Sequence, residues 1–197
     1  MSDNHSSNVA ILTRFIATLS GVGDLAIYDP SRELPAELDA GNDGSQWSLR
    51  LWKPAAIVTP RAAMEELYRR IPHRFPPLYE ELALSYRWLE VQLDGLVELY
   101  ANTPGPDLEA VFSKMTRDRA MTDVLFQRGL LPFGKAADGN YDPVCFDTAR
   151  VRADGDSPIV RVEHEALLWE VGLGRTWPVS ESFRAFLETG IQRTDNQ

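Results

Sequence analysis

Cysteine is almost missing from this chain. The single residue, Cys145, excludes an internal disulfide and points to a reducing compartment. Lysine is scarce too: Lys53, Lys114 and Lys135 are the only three, and the arginines are scattered. With a formal net charge of −9 and no basic cluster, the chain is a poor match for nucleic acid or for anionic membranes. One cysteine with one histidine near it cannot close a zinc site, and no second spaced pair exists. No apolar run approaches the roughly 20 residues that span a bilayer. The opening "MSDNHSSNVA" is polar and lacks a basic leader region, so the expected location is the cytoplasm and no membrane partner is expected. Internal repeats and a repeated βαβ alternation are absent as well.

What is present is enough for an ordinary core. The chain has 197 residues, 44% of them apolar and 10% aromatic, a composition that needs no disulfide or metal to fold. The tail to about Asn8 is expected to be disordered. A helix over about 9–20 follows, with Ile11, Leu12, Phe15, Ile16 and Leu19 at helical spacing and Gly21 and Gly23 as its stop. A turn-rich loop then leads to a possible strand over about 46–52, where Trp47, Leu49 and Leu51 alternate with polar residues.

Thr59 and Pro60 mark the start of a second helix, as N-cap and first helical residue, with Met64, Leu67, Tyr68 and Ile71 as its apolar stripe and Pro72 as its end. "FPPLYEELALSY" starts a third. In "WLEVQLDGLVELYAN" the period changes to two, and Asp94-Gly95 supplies a hairpin turn between Leu93 and Leu96. From Asp107 the pattern is helical again, with Leu108, Val111, Phe112 and Met115 on one stripe and Met121, Val124 and Leu125 on another, until Gly129. "LLPFG" leads into two strands, "PVCFD" and "SPIVRVEHE". A last helix takes Ser180 as N-cap, buries Phe183, Phe186 and Leu187, and ends at Gly190. This order predicts an α+β domain with a twisted, largely antiparallel sheet packed against helices.

The densest chemistry lies between Gly139 and Ala166. Asp138, Asn140 and Asp142 open like a calcium loop, but Pro143 stands where glycine is required and Ala149 where a bidentate Glu is required. His164, placed on a strand with Val160, Val162 and Ala166, points away from Glu163 and Glu165, and only a distant residue could orient it. Cys145 sits between Val144 and Phe146 in acidic surroundings, the setting of an inert packed thiol. No catalytic residue, metal ligand or cofactor-binding residue is assigned. The remaining acids fall at turns, where they either solvate a hairpin or present negative charge to a basic partner.

Several pieces, in order, resemble the SUKH superfamily, which groups fungal Smi/Knr-type cell-wall-synthesis regulators with bacterial immunity proteins. "FPPLYEELA" is similar to its Pro-then-aromatic second helix. "LLPFG" with "GNYDPVCFD" looks like its pre-strand loop and strand. "SPIVRVEHE" is similar to the next strand, and "VSESFRAFLE" to the closing helix. The resemblance covers roughly Pro60 to Gly190 and divides the chain into an N-terminal elaboration (1–52), a SUKH-like α+β domain (53–190) and a tail (191–197). At "SYRWLEV" the chain departs from the pattern by lacking a glycine-bearing loop. What the resemblance implies is a non-enzymatic module that binds and neutralises a toxin domain, of nuclease or deaminase type. The expected partner contacts are Asp138, Tyr141, Asp142, Asp154 and Asp156, chosen for loop exposure. The alternatives are a regulatory scaffold with several weak partners, or a small hydrolase built on His164 and a distant acid.

Overall fold

A computed structural model describes residues 2–21, 34–42, 44, 46, 50–93, 95–169 and 172–194. The chain begins with α1 (Ser2–Gly21), so the segment to Asn8 expected to be disordered is helical. Its side chains Ile11, Leu12, Phe15 and Leu19 are buried. Strand β1 (Asp39–Asn42) pairs antiparallel with β2 (Arg50–Trp52), and β3 (Ala55–Ala56) follows. The strand expected over about 46–52 is thus found in its last three residues; 47–49 lie outside the described residues. Next come α2 (Arg61–Tyr68), α3 (Pro77–Ser85) and β4 (Tyr86–Arg87), which pairs with β3. Helix α2 departs from its predicted start and end. Pro60 takes the cap position, the Thr59 hydroxyl is buried without a partner among the described residues, and the helix is over before Ile71. In α3 the proline is where it was expected, in the first turn, where its missing N–H costs nothing.

Strands β5 (Val91–Leu93) and β6 (Val97–Leu99) form the predicted hairpin, with Gly95 at φ 65°, a conformation a side chain would resist. Asp94 lies outside the described residues. The helical stretch after Asp107 is two helices, α4 (Glu109–Met115) and α5 (Arg119–Gln127), because Asp118 accepts a hydrogen bond from the Met121 amide and restarts the helix. Gly129, at φ 73°, ends it.

"LLPFG", expected as a loop, belongs to β7 (Leu130–Ala136), a central and almost wholly buried strand. β8 (Pro143–Asp147) and β9 (Ile159–Val162) agree with expectation, but β9 stops two residues before His164. His164 instead opens the short helix α6 (His164–Trp169). β10 (Thr176–Ser180) and α7 (Phe183–Thr194) complete the chain. Ser180, expected to cap the last helix, pairs with Ile159 in the sheet, and the cap is Ser182, whose Oγ accepts from the Ala185 amide. Nor does Gly190 end α7; the helix runs on through the buried Ile191, so the expected tail from 191 starts as helix.

Strands β5 to β10 form one six-stranded sheet in chain order, every neighbouring pair antiparallel. This is the α+β architecture predicted from the order of elements. One face carries Leu131, Phe133, Val144, Phe146 and Ile159 against α3, α7 and α1, and this main core includes Leu38 and Trp52 from the N-terminal segment. Its centre is aromatic. Phe133 stacks on Phe146 at 4.1 Å, with Tyr79 and Phe183 set edge-on around them. The other face is smaller: Leu130, Cys145, Val160 and Val162 pack beneath Leu125 of α5 and Leu167 of α6. Among the described residues no helix is long and apolar enough to cross a membrane.

Candidate protein-binding surface

The five expected contact residues separate into two kinds. Asp142 and Asp156 are buried, contrary to the exposure for which they were chosen. Asp156 is turned inward because α7 needs an anion. Its carboxylate accepts from the amides of Ser157 (2.8 Å), Phe183 (3.1 Å) and Arg184 (3.0 Å), which include the first orphan donors of that helix. Asp142 does comparable work at α6. Oδ1 accepts from the His164 amide (3.0 Å) and faces His164 Nδ1 (2.9 Å), while Oδ2 takes the Arg161 guanidinium at 2.6 Å. Burial alone would raise the Asp142 pKa, but the hydrogen bonds from His164 and Arg161 outweigh it and hold the carboxyl below the usual range.

Asp138, Tyr141 and Asp154 lie at the surface. Asp138 pairs with Arg161 at 2.6 Å, and its pKa is lowered by the Asn140 amide and then by that guanidinium. Asp154 faces Arg152 at 3.6 Å. Thus Asp138, Asp142 and Asp154 each have an arginine partner, and the loops do not form a naked acidic patch. Tyr141 is 65% exposed and sits at φ 58°, a conformation uncommon for a bulky residue, with the Lys135 ammonium 5.3 Å from its ring.

The surface has a second apolar element that sequence reasoning missed. Between β9 and β10 the chain leaves the sheet through α6 and returns, closed at its base where the Glu163 amide donates to the Arg175 carbonyl (2.9 Å). This excursion presents Leu168, Trp169 and Leu173 to solvent, with Trp169 83% exposed, and Trp177 follows on the edge strand β10 beside Arg161. A signal was available. "ALLWEVGLGRTW" carries two tryptophans around a glycine-bearing turn, while α6 needs only Ala166 and Leu167 to cover the sheet.

His164 is partly buried, and the distant acid that could orient it is Asp142. Nε2 has no hydrogen bond among the described residues. Cys145 is fully buried on the face covered by α5 and α6, and burial pushes its thiol far up, so it is held as the protonated thiol. Among the described residues, no three His, Cys, Asp or Glu side chains are grouped to hold a metal ion. No protein-family model matches the chain, and no curated protein matches it.

Proposed function

We propose that this chain is a non-enzymatic protein-binding module of SUKH type, an immunity protein that neutralises a bacterial toxin domain by covering it. The observation that carries this reading is the exposed aromatic and aliphatic set Tyr141, Leu168, Trp169, Leu173 and Trp177. Tryptophan and tyrosine dominate the energetics of protein interfaces, because they bury a large rigid surface and keep a polar tip for a hydrogen bond. The antiparallel meander packed against helices agrees with the fold that the SUKH resemblance implies. Steering of a basic partner rests on the whole-molecule charge of −9 rather than on the arginine-paired loop acids.

The oriented His164 favours the hydrolase as the second reading, since a carboxylate on Nδ1 is how an imidazole is aimed as a base. A regulatory scaffold is the third. One experiment separates them: capture from a lysate of the source with the tagged chain and with its Trp169→Ala/Trp177→Ala variant, under salt-graded elution. A single stoichiometric toxin-like partner that survives moderate salt and is lost from the variant supports the immunity reading. Retention by the variant moves the interface elsewhere. Several partners, all released by modest salt, favour the scaffold. A hydrolytic activity that disappears in a folded His164→Ala variant would replace both.

A further inference from the structure

On the second face of the sheet, where the turn between α4 and α5 overhangs β6 to β8, there is a cavity of about 330 Å³. Ligand pockets run from about 300 to 1,000 Å³, so this one is at the lower end, sized for a small organic molecule. Its apolar wall is Met115, Met121 and Leu125 from the two helices and Pro132 and Pro143 from the sheet. Methionines give such a wall the ability to adapt to a guest.

The polar groups of the cavity are not balanced. Lys114 is paired with Glu90 at 2.7 Å and Lys135 with Glu98 at 2.9 Å. The Asp118 carboxylate is turned onto the first turn of α5. Thr122 donates its hydroxyl to main-chain carbonyls. That leaves two donor side chains with no partner of their own. The Arg117 side chain has no hydrogen bond or ion pair among the described residues, and the Tyr100 hydroxyl likewise has none. The two groups are close enough for the guanidinium to lower the phenol's pKa, although burial, the larger influence, keeps the phenol protonated and able to donate. A neutral O–H and a guanidinium converging on one space offer hydrogen bonds only to an acceptor, and a planar carboxylate suits the guanidinium fork. Tyr141 stands at the rim with its ring available to stack on the guest.

We propose that this cavity binds a small organic carboxylate with an apolar or aromatic body, its carboxylate held by Arg117 and Tyr100 and its body lying against Met115, Met121 and Leu125. The proposal does not rest on the toxin-binding reading: the two share only Tyr141, and the contacts proposed here use none of Leu168, Trp169, Leu173 or Trp177. The test is a ligand-observed NMR titration of the full chain with 4-phenylbutyrate as probe and the uncharged 4-phenyl-1-butanol as its control. Arg117→Gln and Tyr100→Phe serve as variants. Arg117 is exposed and the Tyr100 hydroxyl has no hydrogen bond among the described residues, so both variants are expected to keep the fold, which an unchanged thermal midpoint verifies. The acid is expected to bind about tenfold more tightly than the alcohol, and each variant to weaken the acid about tenfold while leaving the alcohol unchanged. Equal binding of acid and alcohol overturns the proposal, as does an acid affinity unaltered in both variants or no binding of the acid at millimolar concentration.

Discussion

Replacing Asp156 with alanine tests how one loop carboxylate holds a helix that begins far along the chain. Asp156 is 8% exposed, and its two oxygens accept three amide hydrogens, two of them from the first residues of α7. Losing an N-cap side chain costs about 0.5–2 kcal/mol. Leaving a buried amide without an acceptor adds about 1–3 kcal/mol, reduced where water can enter the space vacated. The two effects overlap, so the expected loss is about 2–4 kcal/mol, larger than for an exposed cap because Phe183, one of the three residues whose amides lose their acceptor, is itself fully buried in the aromatic centre. Asp156→Asn keeps one acceptor oxygen but sets an NH2 group against an amide donor, and is expected to lose about half as much. In guanidinium denaturation the midpoint should fall at unchanged slope, and in thermal scans a chain of this length should lose roughly 4–16 °C for the alanine variant. A loss below about 0.5 kcal/mol at unchanged slope would refute the capping role. If partner affinity per folded molecule fell while stability held, Asp156 would belong to an interface after all.

Acid titration should find Asp142. Its folded pKa is depressed, so it contributes stability that is present above the unfolded carboxylate value, near pH 4, and is lost as pH falls through the lower folded value; Asp142→Asn should be less stable at pH 7 and flatter below pH 4 when denaturation is followed against pH. Arg87 is fully buried, with Nε and Nη2 unpartnered among the described residues, and its Nη1 donates to the Ala83 and Tyr86 carbonyls to which Asn102 Nδ2 also donates. Arg87→Met should therefore stay within about 1 kcal/mol of wild type in urea denaturation, and a loss of several kcal/mol would mean the charge is compensated inside the fold. A Cβ on Gly134 would stand 2.6 Å from the Glu98 backbone oxygen, so Gly134→Ala should cost about 1–3 kcal/mol and weaken hydrogen-exchange protection across β6 and β7.

Elements specified by local periodicity were legible. α3, the Asp-Gly hairpin and strands β8 and β9 are where apolar spacing and turn residues placed them. β7 was not, because Pro132 and Gly134 are loop signals in isolation. In the sheet each has a reason that depends on a neighbouring strand. The pairing with β8 shifts register between Pro132 and Gly134, where a residue without an N–H is tolerated, and the β6 backbone approaches Gly134 too closely for any side chain. His164 left the strand for a similar reason, since Asp142, distant in sequence, supplies the acceptor that starts α6. Of the expected contacts, Asp138, Tyr141 and Asp154 lie at the surface as read; the burial of Asp142 and Asp156 depends on donors 19 to 28 residues away.

The sequence by itself determined that this chain builds an α+β core, because hydrophobic period and turn chemistry act between near neighbours and survive without knowledge of the fold. Only the tertiary structure decided which acids cap helices, which face Cys145 is buried on, which tryptophans stay in solvent, and that Arg117 and Tyr100 share a cavity. Those outcomes depend on hydrogen bonds and packing between segments far apart in the chain, and no local pattern of residues encodes the partner.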